Sequence, residues 1–105
     1  MNYEINREIV FSTQHISLET ANYLATVVGN RSIGIDHDFP YQILANQYCY
    51  RICIDHNFIP LEKINHLDLK HLIDLAIDND CKWLTLDING PIYPDLVQFD
   101  WSRND

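Results

Sequence analysis

The order of the patterned segments constrains the fold of this chain more than any other feature of its sequence. Short β-branched runs alternate with amphipathic stretches in which apolar residues recur at helical spacing. The predicted segments are a strand at 7–12, a helix at 18–28, strands at 32–36 and 47–55, a helix at about 69–78 and a strand at 83–86.

This order predicts an α+β fold, a two-layer α/β sandwich with the β-α-β-β-α-β topology of the ferredoxin-like type. The length of 105 residues predicts a single domain spanning 1–105. We expect the first two strands to run in one direction and the last two in the other. Asn89-Gly90 is a hairpin turn signal, so we expect a C-terminal hairpin or tail extension with a short strand at Ile92-Tyr93.

The ends of both helices carry recognisable signals. Ser17 is the predicted N-cap of the first helix, and Gly29-Asn30 is its predicted stop. Asn65 or Asp68 is the predicted cap of the second helix, which we expect to end at Asn79-Asp80. The acidic segment after the last strand is predicted to dock through three apolar side chains, Leu96, Phe99 and Trp101.

The charge balance narrows the classes of partner. Fifteen acidic residues against seven basic ones give a formal net charge of −8, which disfavours direct binding of a nucleic-acid backbone and favours a protein partner with a basic surface. No apolar run is long enough to span a bilayer, and the start of the chain lacks signal-peptide features, so we predict a cytoplasmic protein without membrane contact. The three cysteines are predicted to be free thiols.

One group of histidine and aspartate residues is a candidate metal site. In the predicted topology Asp36, His37 and Asp38 share a pole with His15, and imidazole with carboxylate suits zinc, manganese or iron. The same triplet also fits turn chemistry before Phe39-Pro40, so both interpretations stay open. A second set, at the opposite pole, is Asp55, His56 and Asp87. No cofactor is predicted, since the chain lacks a phosphate-binding glycine loop.

Exposed carboxylates are the candidate contacts to a basic partner. Acidic residues are concentrated in the C-terminal half of the chain, where the second helix and the tail lie. Trp101, near the end of the acidic tail, is the aromatic candidate. The predicted partner-binding residues are Asp74, Asp78, Asp80, Asp95 and Trp101.

Three short stretches carry a family resemblance. They are Ser12-Thr13-Gln14-His15-Ile16 with Glu19-Thr20-Ala21, then Cys81-Lys82-Trp83-Leu84-Thr85-Leu86-Asp87, and Gly90-Pro91 with the late Asp100-Trp101. Together they resemble a family of small uncharacterised bacterial proteins that are often carried on phages, plasmids and other mobile elements. The resemblance implies no activity, and it makes His15 and Asp87 the most notable polar positions.

These observations favour a small acidic interaction protein without enzymatic activity. The resemblance to mobile-element proteins suggests one specific form, an inhibitor of a host defence system that acts as anti-CRISPR proteins do, by presenting carboxylates to a basic groove. One alternative is a small metal-dependent enzyme that uses the His15, Asp36, His37 and Asp38 set. Another is a dimeric structural module, so a homodimer is among the expected assemblies.

Overall fold

The computed structural model describes residues 2–35 and 38–101. Its main elements are β1 (Glu8–Ser12), α1 (Leu18–Ser32), β2 (Gln42–Ala45), β3 (Cys49–Cys53), α2 (Leu67–Asp78) and β4 (Trp83–Asp87). The strands form one mixed sheet in the order β1-β4-β3-β2, in which β1 is parallel to β4 and the other pairs are antiparallel. The predicted order of elements and the α+β sandwich class are confirmed.

The hydrophobic core lies between one face of the sheet and the two helices. Successive strand residues point to opposite faces, so Phe11 and its register partner Leu86 lie on the same face as Leu84 and Ile52. All four side chains are buried. The helices contribute apolar stripes at helical spacing, namely Leu24 and Val27 from α1 and Leu69, Leu72, Ile73 and Ala76 from α2.

The second strand lies later in the chain than the sequence predicts. Helix α1 continues through Gly29 to Ser32, and Ile33 is its C-cap, so the described part of the predicted strand at 32–36 is instead the end of this helix and the turn that follows it. Gly34 has a φ of 81° and sits just after the helix cap, where its N–H bonds to the carbonyl of Arg31. Glycine takes this left-handed conformation at little cost, and it ends the helix in a Schellman motif. The prediction of strand 32–36 was therefore wrong.

The last strand runs in the opposite direction to the one expected. Strand β4 is parallel to β1, and Ser12 is in register with Asp87. The cause is the connection at 54–66, which is long enough to carry the chain back along the sheet before α2 begins. Helix α2 then returns the chain, so β4 starts where β3 ends. His15, just after β1, and Asp87 therefore lie at the same pole, which corrects the expected separation.

The segment at 88–101, called the tail below, docks without forming a strand. The predicted strand at Ile92-Tyr93 is not seen among the described residues, and the tail bonds to the body through individual hydrogen bonds. Backbone Ser12 donates to the carbonyl of Pro91 at 2.8 Å, and backbone Phe99 donates to the carbonyl of Gln14 at the same distance. Leu96 and Trp101 pack against the core.

Candidate functional site

His15 joins the tail to the body of the protein. It lies in a short 3-10 turn at Thr13–His15, which Ser12 caps by accepting a hydrogen bond from the N–H of Gln14. The imidazole is only 2% exposed. Its Nδ1 lies 2.9 Å from the carbonyl oxygen of Val97, and its Nε2 accepts the N–H of Tyr93, also at 2.9 Å. Because Nε2 accepts, Nδ1 carries the proton, and the ring is a neutral imidazole.

These two hydrogen bonds leave His15 with no free ring nitrogen. A metal ion needs an unshared nitrogen lone pair, and here the lone pair of Nε2 already accepts the N–H of Tyr93. Tyr93 also stacks on the imidazole at a centroid distance of 6.0 Å, and Phe11 contacts it edge-on at 6.2 Å. In this arrangement His15 orders the tail.

The other members of the predicted metal set are not brought to His15. Asp38 is exposed and lies on the segment that leads into the start of β2, whereas His15 follows the end of β1. Since β1 and β2 run in the same direction, these segments lie at opposite poles, which corrects the expected shared pole. Asp36 and His37 lie outside the described residues. Among residues 2–35 and 38–101, no group of three or more histidine, cysteine or acidic side chains could hold a metal ion.

The turn after β4 explains the Gly90-Pro91 pair. The Asp87 carbonyl accepts the N–H of Gly90 at 2.9 Å, and its carboxylate accepts the N–H of Asn89 at 2.8 Å. A Cβ atom on Gly90 would lie 2.7 Å from the carbonyl oxygen of Phe11. Glycine is therefore required for the close approach of this turn to β1. The second predicted set is divided, because Asp55 and His56 lie at the other end of the sheet from Asp87.

Trp101 closes the docked tail. Its indole Nε1 donates to the carbonyl oxygen of Ile16 at 2.9 Å, and the ring is partly buried against the core. This contact and the one from Phe99 hold the end of the tail on the segment between β1 and α1. As a partner-binding residue Trp101 stays a prediction, and its intramolecular role is the observed one.

Asp68 connects the two helices, a role that the sequence did not predict. Its carboxylate accepts the backbone N–H of Ser17 and the hydroxyl of Thr20, each at 2.8 Å. The observed N-cap of α2 is His66, so neither of the predicted caps, Asn65 and Asp68, holds that position. Asp68 lies in the first turn of α2 and next to the start of α1, where both helix dipoles favour negative charge. An aspartate at the start of an amphipathic helix is the signal that could have identified it.

The C-terminal end of α2 gathers three of the four predicted partner-binding acids. Asp74 and Asp78 lie one turn apart, and Asp80 follows the helix cap with a φ of 56°. We call Asp74, Asp78 and Asp80 the acidic end. None of the three forms an ion pair with a described residue, and the last turn of α2 contains no basic residue.

Carboxylates at and near the acidic end affect the pKa of a buried tyrosine, Tyr41. Burial raises the pKa of Tyr41, and the carboxylates of Asp55 and Asp74 raise it further. The hydroxyl of Tyr41 donates to the carbonyl of Phe58 at 3.1 Å. Asp55 also lines a groove of about 500 Å³ together with Asp80, so the negative charge of this region extends beyond the helix itself.

Asp95, the fourth predicted acid, lies elsewhere. It borders a cavity of about 330 Å³ that lies between the start of α2 and the tail. Leu67, His71 and Val97 line the same cavity, and most of its surface is apolar. The predicted partner-binding residues therefore occupy two separate regions of the molecule.

The face of the sheet opposite the helices, called the open face, carries a polar cluster. The same carboxylate oxygen of Glu8 accepts hydrogen bonds from the Thr85 hydroxyl at 2.5 Å and from Nε of Arg51 at 3.1 Å. The Arg51 guanidinium lies 4.2 Å from the centroid of Trp83, within the range of a cation–π contact. Arg51 thus points away from the core, and its partners lie on β4 and, beyond it, on β1.

Comparison with known proteins identifies a family and leaves the activity open. No α-helix within the described residues is long and apolar enough to cross a membrane. Neither the curated proteins nor the solved structures contain a match to this chain. Residues 8–101 match the model of the C-terminal domain of a family of unknown function, DUF5983. The matched region begins with β1 and ends at Trp101, so it contains the complete sheet, both helices and the docked tail, and the chain belongs to the DUF5983 family.

Proposed function

We propose that this protein is a non-enzymatic interaction protein whose acidic end binds a basic surface of a protein partner. The observation that carries the proposal is the placement of Asp74, Asp78 and Asp80. Negative charge at a helix C-terminus is disfavoured by the helix dipole, and two carboxylates four positions apart repel each other. Each effect costs a few tenths of a kcal/mol. A basic partner would offset that cost.

The proposed partner is a nucleic-acid-binding protein of a host defence system. The carboxylates would occupy its basic groove, as anti-CRISPR proteins do, and would compete with the nucleic acid. The net charge of −8 supports electrostatic attraction to such a groove. The resemblance of the Ser12–Ile16 and Cys81–Asp87 stretches to proteins of mobile elements supports an origin on a phage or another mobile element.

The role of His15 supports an interaction protein over the metal-dependent enzyme. Both ring nitrogens hold backbone groups of the tail, so the residue stabilises the fold of a region far from the acidic end. Elemental analysis of the purified protein tests the enzyme alternative directly. Stoichiometric zinc, manganese or iron that is lost in the His37→Ala variant would favour the enzyme and contradict the proposal.

The binding test compares two triple variants with the same net charge. One replaces Asp74, Asp78 and Asp80 with asparagine. The control replaces Glu4, Glu19 and Glu62, which are exposed and lie elsewhere, with glutamine. Each variant and the wild type are added to purified CRISPR effector complexes, and binding of target DNA is measured by mobility shift.

We expect the wild type to reduce DNA binding and the aspartate variant to be at least about tenfold weaker, because exposed charge pairs contribute up to about 1 kcal/mol each. The glutamate control has the same reduced net charge but keeps the acidic end, so it should lose only the weaker long-range attraction and stay near the wild type. Inhibition should weaken as salt is raised. Inhibition that is independent of salt, or equal losses in both variants, would contradict a role for the acidic end.

A further inference from the structure

Within residues 2–35 and 38–101, no strand pairs with the outer edge of β2. Of the described strands β2 pairs only with β3, and it is the last of them on its side of the sheet. The N–H of Asn46 donates to the carbonyl of Cys49, which makes these two residues a hydrogen-bonded pair. Such pairs alternate along an antiparallel ladder, so Leu44 also directs its backbone toward β3, and Ile43 and Ala45 direct theirs outward. No described residue bonds to the outward groups of Ile43 and Ala45.

This edge lacks most of the usual protection against pairing. Natural edge strands are commonly guarded by short length, charged side chains, proline or a bulge, and of these β2 has only its short length of four residues. Strand β2 reads Gln-Ile-Leu-Ala, and the side chain of Leu44 is 56% exposed. An uncharged strand with an exposed leucine is suited to accept another strand.

The charge distribution indicates what kind of strand it accepts. None of the residues from 39 to 50 is acidic or basic, and the same is true of 20–30 in α1, the helix that contacts β2. Two copies of a chain with a net charge of −8 repel each other over most of their surfaces. They can approach most closely where acidic side chains are absent, and residues 39–50 provide such a stretch. Two basic groups lie beside it, namely Arg51, in register with Leu44, and Arg31, which donates to the carbonyl of Tyr41 just before β2.

We infer that the β2 edge pairs with β2 of a second copy of this chain, in antiparallel orientation about a two-fold axis at Leu44. In this register Ile43 of each copy lies opposite Ala45 of the other, and each of these residues both donates and accepts a backbone hydrogen bond. The two Leu44 side chains meet at the axis and lose their exposure. The two sheets become one continuous sheet across the dimer.

The flanking side chains complement each other in the same register. Gln42 of each copy lies opposite Asn46 of the other. The side-chain oxygen of Asn46 already accepts the N–H groups of Tyr48 and Cys49. Its amide NH₂ group therefore stays available to donate to the side-chain oxygen of the opposing Gln42. A seam of this length buries little surface, so we expect a dimer of modest affinity.

Sedimentation velocity between about 5 and about 500 μM tests the inference, because a dimer of modest affinity dissociates within this range. The Ala45→Pro variant removes an outward N–H and leaves the bonds to β3 intact. The Leu44→Lys variant places two like charges at the axis. Each should raise the dimer dissociation constant at least about tenfold. The control, Val97→Lys, introduces the same charge at a residue of the tail that is 70% exposed and lies beside the start of α2, and it should dimerise like the wild type.

Salt separates this inference from the proposed function. Screening reduces repulsion between two acidic copies, so dimerisation should strengthen between about 50 and about 500 mM NaCl, whereas binding to a basic partner should weaken. The variant without charges at Asp74, Asp78 and Asp80 should still dimerise. Failure of one proposal therefore leaves the other standing.

Amide hydrogen exchange of the wild type supplies a second measurement that does not depend on variants. The N–H groups of Ile43 and Ala45 should be protected at high protein concentration and should exchange freely at low concentration. A monomer throughout the concentration range would overturn the inference. So would a dimer unaffected by both β2 variants, or exchange at Ile43 and Ala45 that does not change with concentration.

Discussion

Nε2 of His15 accepts the backbone N–H of Tyr93 at 2.9 Å, although the two residues are 78 positions apart in the chain. The other ring nitrogen lies at the same distance from the carbonyl of Val97. A single buried imidazole therefore satisfies two backbone groups of the tail. The stretch Ser12–Ile16 meets the tail around this contact, through the carbonyl of Pro91 and the indole of Trp101.

Replacing His15 with alanine should destabilise the protein by about 2 to 4 kcal/mol. The variant loses both hydrogen bonds, leaves the N–H of Tyr93 without its acceptor and opens a cavity beside Phe11. Urea unfolding followed by circular dichroism measures the change in the free energy of unfolding. The control is His71→Ala, because His71 is exposed, and it should change stability by less than about 0.5 kcal/mol. Equal losses in the two variants would contradict the role of His15.

Alanine substitutions at two glycines should change the free energy of unfolding in opposite directions. At Gly90 the new Cβ would lie 2.7 Å from the Phe11 carbonyl oxygen, so the turn must shift, and we expect a loss of about 1 to 3 kcal/mol. At Gly29, inside α1, a Cβ meets nothing within 4 Å. Alanine there should stabilise the protein by about 0.5 to 1 kcal/mol because it favours the helix. Thermal unfolding of both variants tests the pair, and a neutral Gly90→Ala would show that the close approach is not rigid.

Substitutions at the C-terminal ends of the two helices should change the free energy of unfolding in opposite directions. Both helices end in a Schellman motif, with Gly34 in the left-handed position after α1 and Asp80 in that position after α2. The Asp80→Gly variant should gain about 0.5 to 1 kcal/mol, and Gly34→Ala should lose about 1 kcal/mol. Both are measured by urea unfolding. The Asp80→Asn variant controls for the lost charge. A gain from asparagine as large as the gain from glycine would assign the effect to electrostatics.

Tyr41 should make stability depend on alkaline pH. Burial is the main cause of its raised pKa, so the folded state holds the phenol proton more tightly than the unfolded state. The resulting stabilisation is fully present below about pH 10, the usual tyrosine value, and is lost as pH rises through the raised folded-state pKa. In the Tyr41→Phe variant the decline in urea midpoint above about pH 10 should be shallower than in the wild type. The residual decline includes Tyr23, whose pKa burial also raises.

A tyrosine at the surface provides the control for this pH series. Tyr3 is 78% exposed, so Tyr3→Phe should follow the wild type at every pH. At neutral pH Tyr41→Phe should be less stable than the wild type by about 1 kcal/mol, because it loses the hydrogen bond to Phe58. Parallel alkaline declines in the two variants would contradict the assignment to Tyr41.

The order of elements was predictable because each helix buries a stripe at helical spacing, such as Leu69, Leu72 and Ala76 in α2. The position of β2 was not, because Ser32-Ile33-Gly34 has the composition of a weak strand while its glycine actually ends a helix. The direction of β4 could not be predicted from local sequence patterns either, because it depends on the path of the connection at 54–66. Periodicity carries no information about such a path.

The candidate site shows the same division between local and long-range information. The acids of α2 could be placed on one helix end from their spacing alone. The metal hypothesis required Asp38 and His15 to lie at the same pole of the sheet. Because β2 follows Asp38 instead of preceding it, Asp38 lies at the opposite pole. The partners of His15 are tail backbone groups, and backbone contacts between distant segments leave no residue pattern in a single sequence.

The pairing of β1 with β4 has a consequence for how the protein is made. Of the four strands of the sheet, β1 is synthesised first, yet its neighbour β4 is synthesised last. Before β4 is synthesised, β1 lacks its pairing partner, so its apolar residues Ile9 and Phe11 stay exposed and the nascent chain is prone to aggregation. Contacts between such distant segments also slow folding. Cells should therefore tolerate late truncations poorly, because a chain that stops before Trp83 retains a first strand with nothing beside it.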